Sequence, residues 1–191
     1  MSDQPTYSRS PAWSRRRFLR YWSAAALGST LISVAAPAAL ALGPERRTLR
    51  FVHTHTGEKL VAPYSQGGCY LPECLDRVRH FLRDFRTGES HPIDPGLLDI
   101  LYDLQIQAGR EDAFQIISGY RSPATNANLR SKSTGVAERS LHMQGKALDI
   151  RLTGFSTRKL RDLALSLQRG GVGYYASSDF VHIDTGRVRF W

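Results

Sequence analysis

The chain has 191 residues, 41% of them hydrophobic and 23% charged, with a formal net charge of +9; this is the composition of one globular domain with a real core, and it leaves little room for two. Residues 1–41 carry Arg9, Arg15, Arg16, Arg17 and Arg20 against Asp3, a net +4, so the remainder carries +5. That excess suits a carboxylate-rich cell wall or an anionic lipid; no stretch interleaves basic and aromatic residues as a nucleic-acid platform does, so nucleic acid is not expected as a partner.

The first 41 residues read as an export signal. Ser14-Arg-Arg-Arg-Phe-Leu-Arg20 precedes an uncharged, Ala-rich stretch that contains Ala39-Leu-Ala41, a small-residue cleavage site. Paired arginines followed by Phe-Leu resemble the twin-arginine type of bacterial signal, which places the mature domain, residues 42–191, in the periplasm. The stretch is close to the roughly 20 apolar residues that span a bilayer, but Ser23, Ser29, Thr30, Ser33 and Pro37 dilute it, so no stable membrane insertion is expected after cleavage. The twin-arginine route carries folded proteins, which fits a cofactor inserted before export.

Arg47 to Thr56 reads as a strand, Gly57-Glu58 as a turn and Lys59 to Tyr64 as a second strand, a hairpin. His53 and His55 would share one strand face, a spacing that metal sites use, although nothing nearby completes a ligand set. Cys69 and Cys74 lack the Cys-x-x-Cys spacing of a zinc knuckle or redox motif and read as a local staple or two free thiols. Apolar residues at Leu75, Val78, Phe81, Leu82 and Phe85 repeat with helical period over Pro72–Arg86, and Thr87-Gly88 stops that helix. Asp94-Pro95 is an N-cap with proline at the first helical position, opening a helix through Leu97, Leu98, Leu101 and Leu104 that ends at Gly109.

Ala113–Ser118 is a short strand, followed by Gly119-Tyr-Arg-Ser-Pro123 and a polar segment from Thr125 to Ser140 that suggests a functional surface loop or a short helix. Lys146–Leu152 returns as a strand, and Ser156 caps a helix with apolar face Leu160, Leu163, Ala164 and Leu167, ended by Gly170-Gly171. Val172–Tyr175 and Phe180–Asp184 are two last strands. Their connection is too short for a helical crossover, so the sheet is at least partly antiparallel and the fold class is α+β, a single domain with helices packed on the sheet.

His142, Asp149 and His182 carry the chemistry. If their strands adjoin, two imidazoles and a carboxylate converge, a three-ligand set that leaves a fourth tetrahedral position open as catalytic zinc sites do. Zinc in such a site lowers the pKa of a bound water towards about 7 and polarises a carbonyl, which is the chemistry of amide hydrolysis. Histidines this far apart are as often satisfied core or surface residues, and on the pattern alone both readings stand.

Three motifs in order add to this: Ser118-Gly-Tyr-Arg-Ser-Pro123, Ser140-Leu-His-Met-Gln-Gly-Lys-Ala-Leu-Asp149, and Gly170-Gly-Val-Gly-Tyr-Tyr175 with Phe180-Val-His-Ile-Asp-Thr-Gly186. Together they resemble the zinc D-alanyl-D-alanine metallopeptidase family, which shares its fold with the hedgehog signalling domain, nearest the murein endopeptidase K branch. The resemblance covers essentially the whole mature chain. It implies a Zn²⁺ ion held by His142, Asp149 and His182, with Gly145 and Ala147 keeping the ligand loop small and close to the sheet. Arg121 matches the arginine that such enzymes point at the substrate, where a guanidinium can hold an oxyanion or a carboxylate through paired hydrogen bonds.

The general base departs from the pattern. Many relatives place a glutamate three positions before the last ligand, where this chain has Asp179; others place a histidine two positions before it, where this chain has Phe180. Asp184 competes with Asp179 as base, or serves as partner to a ligand, or bonds the turn at Thr185-Gly186. Glu138 reads as solvated.

The resemblance implies a zinc-dependent murein endopeptidase that cleaves peptide cross-links of peptidoglycan, including those joining diaminopimelate residues. A carboxypeptidase removing terminal D-Ala is the alternative within the same chemistry. The missing glutamate keeps a wall-binding module without turnover in play. A serine hydrolase recruiting Ser140 or Ser118 is disfavoured because no Gly-x-Ser-x-Gly elbow occurs.

Overall fold

Leu49, Phe51 and His53 alternate with more exposed residues, and this period of two builds β1 (Arg46–His53), which pairs antiparallel with β2 (Lys59–Gln66) as the expected hairpin. The computed structural model describes residues 45–133 and 135–191; the export signal expected over residues 1–41 lies outside the described residues. A two-residue strand, β3 (Cys69–Tyr70), borders β2 and leads into α1 (Pro72–Phe81).

That helix stops five residues before the predicted end. The Leu82 carbonyl accepts from Tyr120 N at 2.8 Å, and buried Asp84 turns its carboxylate to the backbone N–H groups of Arg86 and Ser122, at 3.0 and 2.9 Å. A carbonyl and a side chain committed to distant partners cannot serve another helical turn. The second helix, α2 (Pro95–Ala108), keeps both predicted ends: Asp94 accepts from Gly96 N at 2.9 Å, and Gly109 closes it at φ 61°, a left-handed conformation that costs glycine little.

β4 (Phe114–Ser118) lies parallel to β1 and antiparallel to β5 (Ala147–Leu152). Between them the polar segment forms α3 (Pro123–Lys132), capped by Ser122 accepting from Thr125 N, and then a loop to Ser140. α4 (Thr157–Leu167) starts at the predicted Ser156 cap but ends at Gln168, whose φ of 49° does the work assigned to the glycines. β6 (Gly171–Tyr175) and β7 (Phe180–Asp184) form the expected antiparallel pair, and β8 (Arg189–Phe190), absent from the sequence reading, runs parallel to β6 at the sheet edge.

The sheet order is β3-β2-β1-β4-β5-β7-β6-β8, antiparallel except at β1/β4 and β6/β8, which with the helices makes the predicted α+β fold. Alternation sorts its two faces. Leu148 and Ile150 of β5 and Val181 and Ile183 of β7 join the core with Val78, Leu98, Leu101 and Leu160 from α1, α2 and α4. Each fully buried leucine there contributes about 1.5–3 kcal/mol of transfer free energy, so this face holds the domain together. The other face of β5 and β7 carries Asp149, His182 and Asp184, with α3 and the loop after it on that side. No helix among the described residues is long and apolar enough to cross a membrane.

Candidate metal centre

Three backbone devices bring the site together. Gly119 follows β4 at a point where a Cβ would meet the Leu82 carbonyl oxygen at 2.5 Å, so only glycine lets the two segments approach. A short 3-10 helix, Leu141–Gln144, ends at Gly145 with φ 64°; its Cα lies against the Pro92 carbonyl and its own carbonyl accepts from Asp94 N at 2.9 Å, which anchors the turn carrying His142. The third device is register: Asp149 of β5 and His182 of β7 are direct cross-strand partners.

His142, Asp149 and His182 are all buried. His142 Nε2, Asp149 Oδ1 and His182 Nδ1 face one another at 3.2 Å (His142 to His182), 3.3 Å (His142 to Asp149) and 2.8 Å (His182 to Asp149). The outward ring nitrogens are occupied: His142 Nδ1 donates to Gly119 O at 2.8 Å and His182 Nε2 donates to Asp184 Oδ2 at 3.1 Å. With both rings neutral, three lone pairs point at one place with no proton among them, an arrangement that calls for a cation. A tetrahedral ion with bonds of about 2.0–2.1 Å sets its ligand atoms about 3.3 Å apart, the separation of His142 from its two partners, while His182 and Asp149 lie closer together. Among the described residues this is the group of three or more His, Cys, Asp or Glu side chains that could hold a metal ion.

Burial works to raise the Asp149 pKa, and His142 and His182 outweigh it, leaving the carboxyl well below its usual range. Burial works to lower the His182 pKa, and the adjacent carboxylates of Asp149 and Asp184 outweigh that in turn. Asp184 is fully buried; burial raises it, while His182, Arg189 and the backbone N–H groups of Gly186 and Gly171 hold it ionised. Its Oδ1 receives Gly171 N, Gly186 N and Arg189 Nη1 at 3.0, 2.8 and 3.0 Å, and its Oδ2 receives Arg189 Nη2 at 2.7 Å besides His182. Both oxygens are saturated.

Arg121 reaches the cluster from the other side. Its Nη2 lies 3.6 Å from Asp149 Oδ2 and 3.4 Å from Ser118 Oγ, its Nη1 donates to Asn126 Oδ1 at 3.4 Å, and its buried Nε has no protein partner. Arg121 lines a cavity of about 410 Å³ together with the His-Asp-His cluster.

Asp179 is not brought to that cavity. It ends a 3-10 turn, Ala176–Ser178, at φ 51°; its Oδ1 accepts from Thr157 Oγ1 at 2.6 Å, its Oδ2 pairs with Arg151 Nε at 3.5 Å, and its carbonyl accepts from the same guanidinium. Glu138 is exposed and faces Arg130 at 3.8 Å. His55 lies outside the strand, because β1 ends at His53: the His53 ring is buried and accepts the His55 and Thr56 N–H groups, while exposed His55 stacks on Phe85 with its ring 5.9 Å from that of His53. Cys69 and Cys74 are free thiols, one exposed and one buried.

The cavity has a wall that sequence reasoning missed. Tyr175, Phe180 and Trp191 line it, with Tyr175 and Phe180 stacked at 4.5 Å and Trp191 centred 5.2 Å from the His182 ring. No periodic pattern flags a lone Trp beyond the last long strand; the sole signal was Gly173, a glycine in mid-strand, which marks close approach by another group. Ala137 and Arg139, between α3 and the Leu141–Gln144 turn, also line the cavity.

Comparison with known proteins places the chain in a peptidase family. The Peptidase_M15_2 family model, described as peptidoglycan L,D-endopeptidase MepK, matches residues 41–191. The chain is 44% identical over 178 residues, 93% of its length and 97% of the other's, to the peptidoglycan L,D-endopeptidase MepK of Escherichia coli. It is 42% identical over 149 residues, 78% of its length and 80% of the other's, to the probable peptidoglycan L,D-endopeptidase MepK of Haemophilus influenzae. The chain therefore belongs to this peptidase family, the murein endopeptidase K branch that its motifs resemble.

Proposed function

We propose that this member of the family is a zinc-dependent murein endopeptidase of the periplasm, exported through the twin-arginine-type signal at residues 1–41, with His142, Asp149 and His182 as its zinc ligands. The observation that carries the reading is the convergence of three buried lone pairs in the lining of an open cavity. Relatives named as peptidoglycan L,D-endopeptidases support peptide cross-links of peptidoglycan as substrate, and the motif resemblance extends this to those joining diaminopimelate residues.

Zinc bound there supplies a Lewis acid and a water acidic enough to ionise near neutral pH. Everything else falls to the chain. Gly119 O holds the His142 ring in one tautomer and Asp184 holds His182 in the other, so each inward nitrogen keeps its lone pair. Arg121, which lines the cavity beside Asp149, is positioned to hold the scissile carbonyl oxygen as it gains charge. We assign Asp184 to orienting His182 rather than to accepting a proton, because both its oxygens are saturated by donors. As placed, Asp179 is bound to Thr157 and Arg151, so we give it no part in proton transfer.

The test is digestion of purified cross-linked muropeptides, with and without chelator, alongside His142→Ala, with products identified by mass. Dimers resolving to monomers only with metal and His142 present is the expected result. Release of terminal D-Ala alone would make the protein a carboxypeptidase. Intact dimers in the presence of folded, metal-loaded protein would make it a binding module, the reading favoured by the lack, among the described residues, of a carboxylate other than Asp149 in the cavity lining.

A further inference from the structure

The Trp191 indole is tethered on four sides. Its Nε1–H donates to Tyr175 Oη at 3.0 Å, the Arg189 guanidinium lies 5.0 Å from the ring, and its backbone pairs with β6 through Trp191 N to Val172 O and Tyr174 N to Trp191 O. Beneath the ring lies Gly173, where a Cβ would meet indole atoms at 2.6–2.8 Å, so the absence of a side chain lets the ring lie flat on the strand. The same Arg189 holds Asp184, which holds His182, so indole and cluster share one chain of contacts.

A tryptophan fixed this firmly for packing alone would be covered, yet Trp191 is 50% exposed and lines the cavity. Its one polar atom is already bonded to Tyr175, so the open ring presents only apolar surface. Rigid aromatic area of this kind gains contact energy at little entropic loss when an aliphatic group lies on it. Arg121 and Arg139 line the same cavity, as does Arg189, and Arg139 has no ion pair among the described residues.

We propose that Trp191 is a substrate-positioning residue, an apolar wall on which the methyl and methylene groups of the peptide lie while their carboxylates meet the arginines that line the same cavity. This deepens the peptidase reading and rests on it for the identity of the substrate. The wall selects an aliphatic side chain ending in charge over an aromatic or a neutral polar one.

The test uses the full chain carrying Trp13→Phe and Trp22→Phe, which leaves Trp191 as the sole indole of the three in the sequence. Mixed with purified disaccharide-tetrapeptide dimer, its emission should move to shorter wavelength and return as the dimer is consumed. Trp191→Ala should lower kcat/KM about tenfold, mostly through KM, and Trp191→Phe should recover most of it. Tyr175→Phe, which frees the indole N–H, should raise KM about threefold. Unchanged kinetics in a folded Trp191→Ala, or an emission deaf to dimer above its KM, overturns the proposal. Should Trp191→Ala fail to fold by circular dichroism, normal KM in both Trp191→Phe and Tyr175→Phe does so instead. If the unsubstituted protein cleaves no dimer, the peptidase reading falls. A saturable emission shift with the uncleaved dimer then still upholds the wall, and no shift removes it as well.

Discussion

Asp149 on β5 and His182 on β7 face each other in antiparallel register, Oδ1 to Nδ1 2.8 Å apart, and His142 Nε2 lies within 3.3 Å of both. The cluster is buried and built of acceptors, so a cation that fills it binds the folded chain and not the unfolded one. Zinc at a thousandfold its Kd should add about 4 kcal/mol, moving the melting temperature up by about ten degrees. Calorimetry of chelated and reloaded protein measures this. His142→Ala should abolish the rise, and an equal rise in that variant would place the metal elsewhere.

Asp184→Asn keeps the size of the side chain but cannot accept from five donors, and it removes the charge that sets the His182 tautomer. Zinc affinity should fall about 10–100-fold. Competition with a chelating dye reads that loss independently of turnover.

Arg121→Lys retains the charge and loses the planar fork that faces Asp149, Ser118 and the cavity. A loss of about 100-fold in kcat with a near-normal melting temperature is the expected outcome. Near-normal kcat would show that Arg121 does not meet the reacting carbonyl.

Asp179→Asn should keep kcat within about threefold of the unsubstituted enzyme, because its carboxylate is bound to Thr157 and Arg151 rather than offered to the cavity. Steady-state cleavage of muropeptide dimer decides the point. A fall of 100-fold or more would restore Asp179 as the proton acceptor.

Asp84 supplies a pH dependence of stability. Burial works to raise its pKa, and hydrogen bonds from Thr125, Ser122 and Arg86 outweigh it, so the folded value lies below the unfolded one. The stabilisation is therefore present above about pH 4 and disappears as pH falls through the folded pKa. Asp84→Asn should cost about 1–3 kcal/mol at neutral pH and flatten the decline of melting temperature below pH 4. An unchanged decline would mean that other carboxylates set it.

Local signals were legible where a residue acts on its own neighbours. Asp94-Pro95 and Ser156 start helices because a side-chain oxygen reaches an N–H two or three residues on, and Gly109 ends one because it alone adopts left-handed φ without strain. The same reasoning applied to Ser122-Pro123 marks the start of α3, which the polar character of the segment obscured. Where a distant partner competes, local pattern fails: apolar periodicity runs on to Phe85, but α1 stops at Phe81 because Leu82 O and Asp84 serve residues 120 and 122.

The candidate site divides the same way. The period of two along a strand and the residue types made His142, Asp149 and His182 one possible metal set, since these are local properties, and the motif resemblance singled that set out. Arg121 was joined to them by the resemblance alone. Only the tertiary structure decided that Asp184 is consumed in holding His182 while Asp179 turns to Arg151, for a carboxylate has no preference among donors until the fold delivers them. Trp191 is the extreme case: its place beside His182 depends on β8 pairing with β6 over a bare Gly173, a contact between residues that share no local pattern.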